Sequence, residues 1–302
     1  MTKEDMESRP TVSVVIPFLD PPEAFFREAI GSVLAQSFED WELLLVNDGS
    51  EPEVTATARA FVRSHPERIR LLEHPGGSNR GLSAARNLGI KRAQGCYVAF
   101  LDADDVWSGT RLTKHVELLE KFPGAAMVCG PSLYWSSWDL EAESDSNGGD
   151  WVPGLGVPVE RELAPPGILP VFLVGRGAVP CPSAITIRRT SVLEVGGFEE
   201  EFRGLYEDQV FYAKMLLVHP MVATDRVLDR YRQNPRSMTA SAGTREEAEA
   251  RKRFLRWLLD HIDTLERAED DLRGIVAREL WAVEHPVGGR ALRMLRRLGA
   301  PV

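Results

Sequence analysis

The sequence predicts an α/β fold: a mostly parallel sheet flanked by helices, followed by a helical extension at the C-terminus. Apolar, β-branched runs alternate with segments of helical periodicity over the first 130 residues. Polar and acidic clusters directly follow several of these runs, where the carboxyl ends of parallel strands would lie. The chain of 302 residues, 43% of them hydrophobic, is long enough to bury a sizeable core.

Strands and helices are predicted in strict alternation over the first 130 residues. The strands are predicted from apolar runs, and the helices from apolar residues spaced three and four apart. In chain order the sequence predicts a strand at 11–17, a helix at 25–34, a strand at 41–46, a helix at 54–62, a strand at 69–73, a helix at 82–92, a strand at 96–101, a helix at 112–121 and a strand at 125–129. Such alternation favours a parallel sheet whose ligands bind beyond the carboxyl ends of the strands.

The pattern changes after residue 130. Residues 139–150 hold five acids and no base, which is typical of a solvated loop. The segment at 285–302 combines arginines with leucines, which predicts either a basic amphipathic helix on anionic lipid or a solvated terminal helix. Between these segments the sequence predicts a strand at 184–188, a helix at 208–217, a strand-like segment at 225–229 and helical structure over 245–281.

The charge balance excludes some classes of partner. The chain carries 36 Lys and Arg against 45 Asp and Glu, a net charge of −9. Duplex nucleic acid needs a basic face, so we expect no nucleic-acid partner. No apolar run approaches the roughly 18 residues of a membrane span, and the first ten residues are charged where a signal peptide is apolar. We therefore expect a cytoplasmic protein, or one on the cytosolic face of a membrane.

The three cysteines, Cys96, Cys129 and Cys181, lie far apart in the sequence. Their odd number and spacing support neither a disulfide framework nor a zinc site. Each is in an apolar or proline-rich context, so we expect three buried free thiols.

Three carboxylates are crowded into four residues directly after the strand predicted at 96–101. Two charges about 4 Å apart repel by roughly 4 kcal/mol at an effective dielectric of 20, so Asp102, Asp104 and Asp105 require protonation or a bound cation. A divalent cation with oxygen ligands would also bridge to a diphosphate. An acidic turn that caps the next helix explains the same residues equally well.

Other polar residues also have two interpretations. Asp48, at the end of a predicted strand, could accept the imide N–H of a uracil or thymine ring, or could form an Asx turn. Arg86 could pair with a phosphate or with an aspartate of the crevice, or could be an ordinary surface arginine.

The acids at positions 207 and 208 raise the same question. One of Glu207 and Asp208 would be a general base if it faced the crevice, whereas a helix N-terminus favours acids on its own account. The polar run at 231–239 could supply Arg232 or Arg236 to a phosphate, or could be a surface linker.

The glycine-rich segment at 74–81 contains neither G-x-G-x-x-G nor G-x-x-x-x-G-K-[ST], so it is neither a dinucleotide fingerprint nor a P-loop. The first strand leads into Phe18-Leu19-Asp20-Pro21-Pro22, where a Rossmann dehydrogenase needs glycines. An NAD-dependent dehydrogenase is therefore disfavoured.

Seven segments occur in an order that is informative as a set: V-V-I-P, S-V-L-A-Q-S-F, W-E-L-L-L-V-N-D-G-S, N-R-G-L-S-A-A-R-N-L-G, Y-V-A-F-L-D-A-D-D-V-W, G-G-F-E-E-E-F and Y-E-D. In this order they resemble the family 2 inverting glycosyltransferases with the GT-A fold, a Rossmann-like fold of nucleotide-diphospho-sugar transferases. The resemblance covers roughly residues 11–240.

The resemblance implies roles for individual residues. Asp208 matches the catalytic base, and Arg86 matches an arginine near the nucleotide. Asp102 and Asp104 match the D-x-D pair that contacts the ribose and holds Mn²⁺ or Mg²⁺ on the donor diphosphate. The remaining matches are Pro17 near the base or ribose, Asp48 at the base, and Arg232, which would stabilise the leaving group.

The resemblance also implies a domain plan and an activity. It implies a catalytic domain over 1–240, with a nucleotide-binding half at about 11–130 and an acceptor-binding half at about 131–240, and a helical extension at 241–302. The implied reaction is metal-dependent and inverting, and moves a sugar from a nucleotide-diphosphate donor to a hydroxyl acceptor in polysaccharide, glycolipid or other glycoconjugate biosynthesis. A UDP-sugar is the expected donor because Asp48 suits a uracil, with dTDP- and GDP-sugars as alternatives. The basic segment at 285–302 would serve in peripheral membrane association.

Two positions depart from the family pattern. Asn47 stands where relatives more often have Asp, and Asn234 stands where many have a histidine that reaches the metal or diphosphate. Two other functions remain open. The Asp102 segment resembles the D-x-D-x-[TV] loop of haloacid-dehalogenase-type phosphatases, and a non-catalytic nucleotide-sugar-binding scaffold could retain the same residues.

Overall fold

The computed structural model describes residues 9–138, 149–234, 243–265 and 270–286. Its centre is a sheet in which eight described strands follow the order β3-β2-β1-β4-β9-β6-β10-β8. These strands are β1 (Val12–Phe18), β2 (Trp41–Asn47), β3 (Ile69–Glu73), β4 (Tyr97–Phe100), β6 (Met127–Cys129), β8 (Glu162–Leu163), β9 (Ile185–Arg188) and β10 (Met221–Ala223).

The prediction of a mostly parallel sheet is confirmed. β1, β2, β3 and β4 pair in parallel, as do β6 and β10. β9 runs antiparallel between β4 and β6, and β8 is antiparallel to β10 at the edge. Parallel strands buried on both faces need continuous apolar runs, and every residue of β1 and β2 is buried.

Helices cover both faces of the sheet. The described helices are α1 (Glu23–Leu34), α2 (Pro52–Ser64), α3 (Leu82–Arg92), α4 (Arg111–Lys121), α5 (Leu169–Leu173), α6 (Arg189–Glu194), α7 (Glu207–Val218), α8 (Thr244–Asp263) and α9 (Asp270–Glu284). The sheet separates two apolar clusters, and alternate residues of β1 belong to each: Val15 to one, Val14 and Ile16 to the other.

A second sheet was absent from the sequence prediction. It joins β5 (Val106–Trp107), β11 (Asp229–Arg232) and β7 (Leu133–Trp135), with β11 in the middle. The strand-like segment predicted at 225–229 is wrong in its bounds, because β10 ends at Ala223 and β11 begins only at Asp229. Arg232 therefore lies in a strand rather than in a polar run after one. Strands of two to four residues are too short for a hydrophobic period to reveal them.

The C-terminal helical prediction at 245–281 corresponds to α8 and α9. α8 packs on α9 and α7, and α9 packs on α5. Most of the acidic segment, 139–148, and most of the basic segment, 287–302, lie outside the described residues. Across the described part of the chain, no helix is both long and apolar enough to cross a bilayer.

All three cysteines are free, but the prediction that all are buried holds fully only for Cys129. Cys129 is buried in β6 and Cys181 is half-buried, whereas Cys96 is exposed. The reason is local: β4 begins at Tyr97, so Cys96 belongs to the turn that precedes the buried strand.

Two helical glycines should respond oppositely to the same substitution. A methyl group added at Gly89 would lie 2.4 Å from Val15 Cγ1, whereas a methyl group at Gly31 would meet nothing within 4 Å. We expect Gly89→Ala to lower the free energy of unfolding by about 1–3 kcal/mol through overpacking, despite its better helix propensity. Gly31→Ala should raise it by about 0.5–1 kcal/mol. Urea denaturation of both variants measures the difference, and a stabilised Gly89→Ala variant would show that α3 does not pack this closely on β1.

Candidate active site

A cavity of about 670 Å³ opens at the carboxyl ends of β1 and β4. Parallel α/β sheets bind ligands in this position because the strand-to-helix loops converge there. Six of the seven residues to which the resemblance assigns a role line this cavity: Pro17, Arg86, Asp102, Asp104, Asp208 and Arg232. Asp48 is the exception.

Pro17 lines the cavity because β1 extends beyond the end of the neighbouring strand β4. The pairing of β1 with β4 ends at Val15 and Phe100, and the Leu101 N–H bonds to the Val15 carbonyl. Backbone polar groups alternate between the two sides of a strand, so the missing N–H of Pro17 faces the space beyond β4 and removes no ladder hydrogen bond. A proline is thus accommodated at the floor of the cavity.

The loop after β4 separates its three carboxylates. Asp102 and Asp104 border the cavity, whereas Asp105 is fully buried. Asp105 accepts hydrogen bonds from the Ser183 hydroxyl at 2.6 Å and from the Arg232 backbone N–H at 2.9 Å. Ser183 in turn accepts the Asp102 N–H at 3.1 Å. Asp105 therefore anchors the loop, and two carboxylates, not three, are available to a ligand.

Arg86 joins two acids from distant parts of the chain. Its buried guanidinium donates to Asp102 at 2.8 Å and to Glu207 at 3.2 Å, and lies 5.2 Å from the centre of the Phe198 ring. Burial lowers the pKa of Arg86, but the charges of Asp102 and Glu207 outweigh it and raise the pKa above its usual value. Of the interpretations open from the sequence, the structure shows the pairing with a crevice aspartate.

The pair Asp102 and Asp104 fits a divalent cation. Burial, reinforced by the negative charge of Asp102, raises the pKa of Asp104 to about 6. A cation between the two carboxylates would relieve this unfavourable charge. Among the described residues no three metal-binding side chains form a cage of their own. Mg²⁺ and similar ions are commonly held by one or two carboxylates together with substrate phosphates, so two carboxylates at an open cavity suffice.

Asp208 is placed at the cavity by the first turn of α7. Its carboxylate accepts the Gln209 N–H at 2.7 Å. Burial and then the charge of Glu207 raise the pKa of Asp208 to about 7, against the opposing effect of Arg86. A carboxylate with this pKa is a stronger base than an ordinary aspartate and is still about half ionised at neutral pH.

Tyr206 sets the direction in which α7 begins. Its backbone is left-handed, with φ of 75°, which is uncommon for a residue other than glycine and is maintained only by surrounding structure. The Tyr206 ring stacks on Phe254 of α8, with centroids 5.5 Å apart and planes 21° apart. The C-terminal helix α8 thus supports the residue that precedes Glu207 and Asp208.

Arg232 lies in β11 within an aromatic enclosure. Its guanidinium is 4.0 Å from the centre of the Phe25 ring and 4.5 Å from that of Trp135. It also donates to the Asp104 carbonyl at 2.7 Å and pairs with Glu28. These contacts hold a cationic side chain beside the Asp102 and Asp104 pair.

Asp48 is buried and does not line the cavity. Its carboxylate accepts the backbone N–H groups of Arg80 at 2.7 Å and Gly81 at 2.9 Å, so it secures the glycine-rich segment at the start of α3. Gly81 has φ of 94°, a conformation that favours glycine.

The adjacent Asn47 explains one departure from the family pattern. Its amide donates to Thr55 and Glu73, each at 3.0 Å, while its oxygen accepts the Ser50 N–H at 2.8 Å. An ionised aspartate could not donate these two bonds.

Sequence reasoning missed several residues of the site. Glu207 was considered only as an alternative to Asp208 as the base, and its role as the second partner of Arg86 was not predicted. Ser183 supports the loop after β4 without any motif of its own. Tyr134, Tyr231 and the Pro180-Cys181-Pro182 segment also line the cavity, and so does Asn234, the second departure from the family pattern.

Comparisons with known proteins bear on the family and the fold of the chain. A family model described as glycosyl transferase family 2 matches residues 13–193. The chain is 40% identical over 121 residues to the uncharacterized glycosyltransferase EpsJ of Bacillus subtilis (strain 168), covering 40% of this chain and 34% of EpsJ. It is 31% identical over 128 residues to the succinoglycan biosynthesis protein ExoW of Rhizobium meliloti (strain 1021), covering 42% and 37%. The matched segment thus spans less than half of these relatives.

Solved structures with the same fold cover most of the chain. TarS 1–349 of S. aureus in complex with UDP-GlcNAc has a TM-score of 0.66 at 18% identity, covering 89% of this chain and 71% of that one. Mannosyltransferase PcManGT of Pyrobaculum calidifontis, in complex with GDP-Man and Mn²⁺, has a TM-score of 0.63 at 17% identity, covering 97% and 76%. At these identities the likeness concerns the fold, and it matches the GT-A expectation.

Removal of the Arg86 charge should destabilise the folded protein. Arg86→Met leaves Asp102 and Glu207 without their shared cation, and we expect it to lower the free energy of unfolding by about 3 kcal/mol. Arg27→Ala is the matched control, because the Arg27–Glu23 pair is more than half exposed and should be worth no more than about 0.5 kcal/mol. Both values come from urea denaturation. Equal, small effects would show that Arg86 contributes no more than a surface ion pair.

Proposed function

The chain belongs to glycosyl transferase family 2, and on this premise we propose that it is a metal-dependent inverting glycosyltransferase. It transfers a sugar from a nucleotide-diphosphate donor to a hydroxyl group of an acceptor. The observation that carries the proposal is the placement of Asp208, with its pKa of about 7, in the same cavity as the Asp102 and Asp104 carboxylates.

Asp208 is the general base of the proposed reaction. It accepts the proton of the acceptor hydroxyl as that oxygen attacks the anomeric carbon of the donor. The attack comes from the side opposite the leaving nucleoside diphosphate, so a single displacement inverts the anomeric centre. Arg86 positions Glu207, the neighbour of Asp208, and at the same time Asp102 on the donor side.

Asp102, Asp104 and Arg232 form the proposed site for the donor diphosphate. Mn²⁺ or Mg²⁺ held by the two carboxylates would supply positive charge to the diphosphate oxygens of the donor. Arg232, fixed against Phe25 and Trp135, contributes a second positive charge to the leaving group. The cavity can therefore hold a polyanionic donor although the chain as a whole is acidic.

A UDP-sugar is the proposed donor. Pro17 lies at the floor of the cavity beside the proposed base site. Asp48, which the resemblance places at the base, fixes the start of α3 through the Arg80 and Gly81 N–H groups, and Leu82 and Arg86 of α3 line the same cavity as Pro17. The complexes of TarS with UDP-GlcNAc and of PcManGT with GDP-Man support a nucleotide-sugar donor of either base.

The proposed process is the synthesis of a polysaccharide, glycolipid or other glycoconjugate. The name of ExoW, a succinoglycan biosynthesis protein, supports this setting. A cytoplasmic location and peripheral membrane association through the basic segment at 285–302 remain predictions from the sequence.

Incubation with Mn²⁺ and a panel of UDP-, dTDP- and GDP-sugars tests the proposal, with released nucleoside diphosphate as the readout. Release that depends on the metal and on one donor class supports a transferase. Phosphate release from simple phosphomonoesters would instead support the phosphatase. Nucleotide-sugar binding without turnover, even with acceptors supplied, would support the scaffold.

Asp208→Asn should remove the base while keeping the shape of the side chain. We expect transfer to fall by about 10²–10⁴-fold, the usual contribution of a general base, with nucleotide affinity nearly unchanged. The control is Asp260→Asn on the exposed side of α8, which should retain normal rates. Steady-state kinetics and calorimetric titration with UDP provide the two measurements. Near-normal transfer by Asp208→Asn would remove Asp208 from the role of base.

Asp104→Ala should weaken the metal-dependent part of nucleotide binding. The variant loses one of the two proposed metal ligands, so UDP affinity measured with Mn²⁺ should fall toward the value measured with EDTA. Affinity in EDTA should be similar in the wild type, Asp104→Ala and the Asp260→Ala control. If Mn²⁺ still strengthens UDP binding to Asp104→Ala as much as to the wild type, Asp104 does not hold the metal.

A further inference from the structure

A second cleft, of about 500 Å³, lies between the loop at 203–205 and helix α8. Its charged lining consists of four bases, Arg203, Lys252, Arg253 and Arg256, and two acids, Glu246 and Glu249. The lining is thus positive by two charges, in a chain with a net charge of −9. A local reversal of the overall charge indicates an anionic ligand.

The four basic side chains of the cleft differ in whether a carboxylate already pairs with them. Lys252 pairs with Glu249, and Arg256 pairs with Glu284 at 2.6 Å. Within the described part of the chain, Arg203 and Arg253 pair with no carboxylate, and the Arg253 guanidinium lies 4.8 Å from the centre of the Phe202 ring. Two guanidinium groups at one cleft therefore have donors left for a ligand.

Phosphate matches this arrangement better than carboxylate. A guanidinium presents parallel N–H donors that suit the oxygens of either group. A phosphate monoester, however, carries a charge of about −1.5 to −2 near neutral pH, which matches the combined charge of the unpaired Arg203 and Arg253, whereas a carboxylate carries only one.

The cleft adjoins the catalytic cavity. Gly204 and Leu205 line both spaces, and Glu207 and Asp208 follow them within three residues. Helix α8 borders both as well, since Glu246 faces the cleft and Glu247 faces the cavity. A molecule with its phosphate in the cleft can therefore extend a hydroxyl group toward Asp208.

We propose that this cleft is a phosphate subsite for the acceptor, so that the acceptor is a hydroxyl compound bearing a phosphate or diphosphate group. The inference rests on the proposed function and narrows its acceptor class. The proposed donor diphosphate lies with Asp102, Asp104 and Arg232, and none of these residues lines the cleft. Every residue that lines the cleft follows residue 193, beyond the segment that the family model matches, where differences in acceptor specificity are expected.

Binding tests the subsite without requiring turnover. The protein is first saturated with UDP and Mn²⁺ so that the donor site is filled. It is then titrated by calorimetry with glucose 1-phosphate, glucose, galacturonate and a short-chain prenyl diphosphate. We expect the two phosphate compounds to bind, and glucose and galacturonate to bind at least about tenfold more weakly.

Two double variants distinguish a specific phosphate site in the cleft from a general effect of positive charge. Arg203→Ala/Arg253→Ala should lower the affinity for the phosphate compounds at least about tenfold. Arg59→Ala/Arg63→Ala removes the same charge from the exposed face of α2 and should leave it unchanged. UDP affinity should be equal in both double variants, which verifies that each is folded.

The outcomes distinguish the two proposals. The subsite is overturned if UDP binds but the phosphate compounds do not. It is also overturned if both double variants lose affinity for the phosphate compounds equally. Neither result contradicts the proposed transferase activity. Equal binding of galacturonate would overturn phosphate as the class. If UDP itself fails to bind the wild type, the proposed UDP-sugar donor is overturned, while the difference between the phosphate compounds and their controls still decides the subsite. Preference for prenyl diphosphate would assign the phosphate to a lipid-linked acceptor, and preference for glucose 1-phosphate to a phosphorylated sugar; either supports the subsite.

Discussion

The buried guanidinium of Arg86 is shared by two carboxylates, and the geometry of the cavity depends on it. Asp102 comes from the loop after β4 and Glu207 from the start of α7, so one side chain of α3 joins three elements. A buried charge is tolerated only when it is paired and hydrogen-bonded, which restricts the relative positions of these elements. The proposed donor side and the proposed base are thereby held at the same cavity.

Carboxylate crowding is the second constraint, and the molecule resolves it in different ways at different positions. Asp105 is turned inward, where Ser183 and the Arg232 N–H bind it. Asp104, at the cavity wall, has a pKa raised to about 6. A bound cation would stabilise its ionised form and so lower this pKa. Asp208 keeps a pKa of about 7, which suits a base. An acidic cavity can thus hold a phosphorylated donor when a metal and one enclosed arginine supply the positive charge.

The C-terminal helices belong to this active site as well as to the core. Phe254 of α8 stacks on Tyr206, whose left-handed backbone directs the first turn of α7. The same helix lines the basic cleft with residues that the family model does not cover. The proposed metal ligands Asp102 and Asp104 therefore lie in the family segment, whereas Arg232 and the proposed acceptor subsite lie beyond it.

The sequence by itself determined the alternation of strands and helices and named six residues of the cavity, because periodicity and motif order are local properties of the chain. It could not determine which carboxylate faces a ligand. The inward turn of Asp105 depends on Ser183 and Arg232, which are 78 and 127 residues away. Nor could it show that Asp48 holds the glycine-rich segment without lining the cavity, or that Glu207 shares Arg86. The short strands β5, β7 and β11 likewise form only when the tertiary structure brings them together, since two to four residues carry too little pattern to specify a strand.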